Sequence, residues 1–329
     1  MGAPVPEPES AISAAASPPL LRRWPLRSWV KQGLAALLVL VLWNFFREDD
    51  WHAELSFANY DCGQGEVCKL LPGLSVSTVA GSNQPYHYTT NQSGFRSPEL
   101  PGMARDPGVF RLQVYGSSPI FGLGVNDGET FPEVLRRDLE AALPGRRIEV
   151  MNFGLPMNYF TSELTTYAAF GRAYEPDLVI FVQPEIERTV DMNARVIQIK
   201  RSPTLTAMLA SSVGRIVVNR VQYLTMESTS QLTKALALGR LRAKSQVLLD
   251  DQQSRGTRVY FFDLFDTTGD LPRALPVGLR FDGSDSGMSH DAYLASSYVI
   301  PRDGHPNADG HRYFAGLLAA KLAPLIAAR

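Results

Sequence analysis

Two serines behind a strand-like run, and one histidine in a tight turn near the far end of the chain, are the residues whose types and placement could do chemistry. Ser117 and Ser118 stand in "VYGSSPIFGLGVNDGETF" (Val114 to Phe131), after the strand-like run Phe110–Tyr115 and ahead of a helix. His305 stands in "PRDGHPNADGH", in a Gly-His-Pro-Asn turn just before the last helical stretch. A rigid loop of that kind can aim an imidazole into a crevice. A serine hydroxyl becomes a nucleophile when a base lies within hydrogen-bond reach and N–H donors face the developing oxyanion. The bland alternative is a polar turn and a structural histidine, because Gly-x-Ser alone is a weak signal. His311, six residues on, is expected to begin the helix and to pack or be solvated there.

These residues need elements to bring them together. From Val109 the sequence alternates strands and helices. Phe110–Tyr115 reads as a first strand, "RRIEVMNFG" as a second, "PDLVIFV" as a third and "RVYFFDLF" as a fourth. "TFPEVLRRDLEAAL" places Phe131, Val134, Leu135 and Leu139 on one helical face. The unbroken apolar run of the third strand is the pattern of a strand buried on both faces of a parallel sheet. The expected fold is therefore a doubly wound, three-layer α/β domain over residues 109–329. Ligands in such sheets bind beyond the carboxyl ends of the strands. That end gathers Ser117 and Ser118 after strand one, Gly154 and Asn158 after strand two, and Gln183 and Glu185 after strand three.

Composition excludes several classes. The net charge of −1 gives no electrostatic support to a nucleic-acid role. The five histidines show no metal-ligand spacing and there is no CxxC pair, so neither metal nor cofactor is expected. Residues 1–28, rich in Pro, Ala and Ser, read as a disordered tail. Arg22, Arg23, Arg27 and Lys31 precede "GLAALLVLVLWNFF". Counted from Trp29, with Lys31 reaching back to the headgroups, residues 29–46 are long enough to approach the roughly 20 that a membrane span needs. No small-x-small cleavage site follows, which disfavours a removable signal. The cation excess before the span puts the tail in the cytoplasm and the rest of the chain on the far side of the inner membrane. Residues 47–108 are expected to form a lead-in of short strands that packs on the main domain. Within it Cys62 and Cys68 of "DCGQGEVC" are expected to close a small disulfide loop in an oxidising compartment, the alternative being two unrelated thiols.

The region from Val109 onward resembles the SGNH (GDSL-like) hydrolase family, through "YGSSPIFGLGVNDGETFPEVLRRDLEAALPGRRIEVMNFGLP" and "DGHPNADGHRYFAGLLA". The segment "NQSGFRSPE" is similar to the lead-in of membrane-anchored bacterial members. The resemblance implies Ser118 as nucleophile, His305 as base and the Gly154 N–H as an oxyanion donor. Three departures stand against it. Ser117 replaces an aspartate. The loop after the third strand, "QPEIER", has no asparagine, so Asn158 or Gln183 would have to supply that donor. The acid normally three residues before the histidine is Arg302, which leaves Asp303, one position closer, as the candidate acid. Pro119 also removes an N–H beside the serine. The implied activity is acyl-ester hydrolysis or acyl transfer on an O-acylated envelope or exported glycan. The alternative is a catalytically degenerate protein that binds glycan or scaffolds an envelope assembly.

Overall fold

The computed structural model describes residues 57–62, 67–81, 83–104, 106–183, 192–211, 213–218, 234–265 and 275–328, with Val221 and single positions between 30 and 42. The chain forms two compact units, Met1–Arg47 and Glu48–Arg329. In the first, the described positions between 30 and 42 are helical, and Val30, Leu34, Leu38, Val39 and Leu42 expose their apolar side chains. Among the described residues no helix is long and apolar enough to cross a membrane. The remaining positions of the expected span Trp29–Phe46 lie outside the described residues.

The second unit is built on a five-stranded sheet whose order is β6-β5-β7-β8-β9, all neighbours parallel. Its strands are β5 (Val109–Tyr115), β6 (Arg147–Asn152), β7 (Leu178–Val182), β8 (Arg258–Asp263) and β9 (Asp282–Asp285). The chain starts its sheet inside, at β5, adds β6 on one side and then β7, β8 and β9 on the other. This creates the topological switch beside β5 at which open α/β sheets hold their ligands. The doubly wound domain expected from the alternation of strands and helices is present.

Alternation along the strands sends side chains to two separate cores. Leu112, Val114, Ile180, Val182 and Phe262 face α2 (Phe131–Ala142) and α8 (Ala308–Ala327), whose Leu135, Leu139, Phe314 and Leu318 fill that side. On the other face Tyr115, Phe181 and Phe261 stack across three strands, with ring centroids 5.3 and 5.6 Å apart. Each such ring pair adds about 0.5–1.5 kcal/mol beyond the area it buries. That face is covered by α3 (Phe160–Ala169), α6 (Lys234–Arg255) and the lead-in.

The lead-in consists of two hairpins, as its turn-rich sequence suggests. β1 (Tyr60–Asp61) pairs with β2 (Lys69–Leu70), and Cys62 is bonded to Cys68 across their connection. β3 (Ser75–Ala80) pairs with β4 (Gln84–Thr89) in register from Ser75↔Thr89 to Ala80↔Gln84. Two elements have no strong signal in the sequence. β9 is the polar run Asp-Gly-Ser-Asp and is held by its backbone at the sheet edge. α7 (His290–Leu294) is a single capped turn, with the Ser289 side chain accepting from the Ala292 N–H.

Candidate active site

Ser118 opens a four-residue helical turn, α1 (Ser118–Phe121), directly beyond the carboxyl end of β5. Ser117 is its N-cap, with extended backbone, and Pro119 takes a first-turn position. A first-turn N–H has no intrahelical acceptor, so proline costs nothing there. Gly122, with φ of +88°, ends the turn, and its N–H donates to the Ser118 carbonyl. The seryl Oγ is thereby held at the sheet's carboxyl edge. Among the described residues no acceptor takes the Ser118 backbone N–H.

His305 reaches that hydroxyl from the other end of the chain. Its Nε2 lies 2.7 Å from Ser118 Oγ. Its Nδ1 contacts Asp303 Oδ1, and the His305 backbone N–H donates to the same oxygen at 3.1 Å. Asp303 therefore does meet His305, although only one residue separates them. The loop is folded tightly enough to allow it. Ile300 N–H donates to the His305 carbonyl at 2.8 Å, and Val299 bridges to Pro306. Between them Arg302 and Gly304 take positive φ of 65° and 89°. That reversal turns the Asp303 side chain back onto the ring as an Asx turn, while Arg302 points to solvent. The carboxylate side chain is only 1% exposed, against 20% for the imidazole. The Tyr293 hydroxyl, which donates to the Gly304 carbonyl at 2.9 Å, braces the loop from α7. Burial, reinforced by the Asp303 charge, pushes the Tyr293 pKa well up, so it stays a donor.

The residues named for the oxyanion are arranged less simply. Gly154 lies hard against the serine turn, where an added Cβ would stand 2.5 Å from Phe121 N and 2.7 Å from Ile120 C. Its N–H donates to Asn152 Oδ1 at 2.8 Å. Asn158 is buried beside the start of α3, and among the described residues its Nδ2 has no hydrogen-bond partner. A buried amide N–H left without a partner costs roughly 1–3 kcal/mol, and an oxyanion would relieve it. Gln183 takes φ of +52°, and its side-chain oxygen accepts from the Leu264 N–H. Glu185 lies outside the described residues.

No family model matches this chain, and no curated protein matches it. Among solved structures it is similar to TesA at 14% identity, with 65% of this chain and 99% of that one covered and a TM-score of 0.39. It is similar to LAE5, an alpha/beta hydrolase enzyme from the metagenome of Lake Arreo, Spain, at 14% identity, with 68% and 99% covered and a TM-score of 0.41. A third is a catalytic mutant of Axe2, an acetylxylan esterase from Geobacillus stearothermophilus, at 12% identity, 65% and 94% coverage and a TM-score of 0.39.

Three further residues shape the site without an evident signal in the sequence. Arg96 is buried under the serine turn, and its guanidinium donates to the carbonyls of Phe121, Gly122, Val125 and His87. Its Nε pairs with Asp127 Oδ1 at 2.8 Å, and it lies over the rings of Tyr88 and Phe121 at 5.5 and 5.3 Å. Asn152 donates to the carbonyls of Arg96 and Ile120 at 2.9 and 3.2 Å, tying β6 to the same turn. His311 is buried in the first turns of α8, not solvated. Burial, with the charges of Arg96 and His305, lowers its pKa to about 3. A hydroxyl, an imidazole and a carboxylate in hydrogen-bonded series can move a proton off the serine as it attacks an acyl carbon.

Proposed function

We propose that this chain is a serine-dependent acyl-ester hydrolase or acyltransferase of the SGNH kind, with Ser118 as nucleophile, His305 as general base and Asp303 as the acid that orients it. The contact of Ser118 Oγ with His305 Nε2 at 2.7 Å, backed by Asp303 on Nδ1, carries the reading. Ser118 Oγ attacks the acyl carbon and its proton passes to His305 Nε2. The negative oxygen faces the Ser118 N–H and Asn158 Nδ2, the donors left free of protein acceptors among the described residues. Collapse expels the alcohol, which takes the proton from Nε2. Water or a sugar hydroxyl then attacks the acyl-enzyme, gives its proton to Nε2, and Oγ recovers it as the acyl group leaves. Gly154 joins the oxyanion donors when its N–H is shared with, or released by, Asn152.

The substrate we infer is an O-acylated envelope or exported glycan. What supports it is the sequence of residues 29–46, read as a single-pass anchor in the inner membrane with the α/β domain outside the cytoplasm, and the Cys62–Cys68 disulfide, which suits an oxidising compartment. Transfer and hydrolysis share one acyl-enzyme, so both remain within the reading. One observation favours the second reading, a non-catalytic glycan-binding or scaffolding protein of an envelope assembly: the Gly154 N–H and the Gln183 side chain are both turned to protein partners.

Labelling of the full-length protein in detergent with a fluorophosphonate distinguishes the two. The proposal expects one adduct, mapped to the Ser118 peptide, lost in Ser118→Ala and His305→Ala variants that keep their helical circular dichroism. A folded parent protein that takes no label would remove the covalent mechanism and leave the binding module.

A further inference from the structure

The lead-in reaches the carboxylate of the triad. The turn joining β3 to β4 brings the Gly81 backbone N–H to 3.2 Å from Asp303 Oδ2. Oδ1 of the same carboxylate already accepts from His305, through both its backbone N–H and Nδ1. The two oxygens are thus held by different parts of the chain, 222 residues apart along the sequence in the case of Gly81 and Asp303. Oδ1 fixes the acid to the ring; Oδ2 fixes the rotation of the carboxylate about its own axis.

Position 81 admits no side chain. Its φ is +52°, and an added Cβ would stand 2.6 Å from the Pro301 carbonyl oxygen and 3.0 Å from both Asp303 Cβ and Ile300 Cγ2. The neighbours are those of the acid loop itself, so this glycine is shaped to it. The hairpin is also pinned at its opposite end to the segment that follows the serine. The His87 N–H donates to Asn126 Oδ1 at 3.1 Å, and Thr89 Oγ1 to Asp127 Oδ2 at 2.7 Å. One two-stranded element therefore spans from the serine's side of the site to the acid's.

We propose that Gly81 is a positioning residue of the active site, acting through Asp303, and that the lead-in hairpin sets the distance between the serine turn and the acid–histidine loop. The inference rests on the hydrolase reading. It accounts for an acid placed one residue closer to the histidine than the resemblance implies: the shorter loop is held from outside, by the hairpin.

The test is a double-mutant cycle on the rate constant of fluorophosphonate inactivation, with Gly81→Ala, Asp303→Ala and the pair, in full-length protein. A misplacement of this kind costs about 10–100-fold. Gly81→Ala should lower the rate constant by that factor in the parent and leave it unchanged in the Asp303→Ala background, because the group it acts through is gone. Equal effects in both backgrounds, or no effect in the parent, would overturn the proposal. Gly81→Asn runs beside it: asparagine tolerates the positive φ, so a loss that persists in it belongs to the contact with the acid loop, and full recovery would count against the proposal. If neither variant folds, the amide proton shift of Gly81 decides, since it must move in Asp303→Ala and an unmoved shift sinks the idea. An unlabelled parent protein would instead fail the hydrolase reading, and is told apart from these outcomes at once.

Discussion

Asp303 and His305 occupy one tight turn, and that arrangement decides how each can be tested. The acid accepts from the base's main chain as well as its ring, so the pair is kept together by local geometry, with Gly81 closing the remaining oxygen. Replacing the carboxylate by an amide keeps the turn and the volume but offers the ring the wrong group. Asp303→Asn is expected to lower the acylation rate by about 10⁴-fold with little change in melting temperature, as when a triad loses the charge that fixes its tautomer. Stopped-flow acylation with an activated ester checks this. Under the proposed mechanism Asn158→Ala should act on the other side of the reaction, lowering kcat by about 10²–10³-fold with KM nearly unchanged, since that mechanism gives its N–H to the transition state alone. A KM effect without a kcat effect would place Asn158 in substrate binding.

At the scale of elements, Arg96 is the residue on which the serine turn rests. The guanidinium donates to the carbonyls of Phe121, at the end of the four-residue helix, of Gly122, which also accepts from the Val125 N–H, and of Val125 beyond it. Burial pulls the Arg96 pKa down, and the Asp127 carboxylate opposes it. A lysine keeps the charge but not the fork. Arg96→Lys should therefore destabilise the fold by about 1–3 kcal/mol, the scale of buried carbonyls left without a donor, read from urea melts. Much of this level was legible in the chain. The runs Phe110–Tyr115, "PDLVIFV" and "RVYFFDLF" announce strands, the second of them buried on both faces, and β5, β7 and β8 lie on them. β9 escaped because an edge strand of Asp, Gly and Ser has no apolar pattern; it is held by main-chain bonds, which sequence does not display. Arg96 and Gly81 escaped for a related reason. Their partners are backbone atoms and a carboxylate far along the chain, and nothing in the spacing of "SGFRSPE" or "AGSNQP" points there. Asp303 was legible as a residue but not as a contact, because the positive φ at Arg302 that folds it back is unusual for a side chain of that size.

On the scale of the whole molecule, His311 couples stability to pH. It is buried, and its pKa falls from an ordinary 6.5 to about 3, through burial first and the charges of Arg96 and His305 after it. The folded state thus refuses a proton that the unfolded chain accepts. Stability from this group is fully present above about pH 6.5 and is lost as pH drops from there toward about 3. Over the full window the loss amounts to a few kcal/mol. Melting temperatures measured between pH 7.5 and 5 should fall for the parent protein and fall less for His311→Met, which fills the same space without a titrating ring. Equal slopes would mean that other groups govern the acid limb.

The separation of Ser118 from His305 by 187 residues has a consequence for the life of the chain. Synthesis delivers the hairpin first, the serine next and the Asp303–His305 turn after all five strands of the sheet. A nascent chain that has already built β5, β6 and β7 still holds an unreactive hydroxyl, and so does any fragment cut before Pro301. The Ser118–His305 contact thus forms only once the chain has been made past His305 and that turn has docked. Under the proposed hydrolase reading, this ordering keeps partly made copies silent.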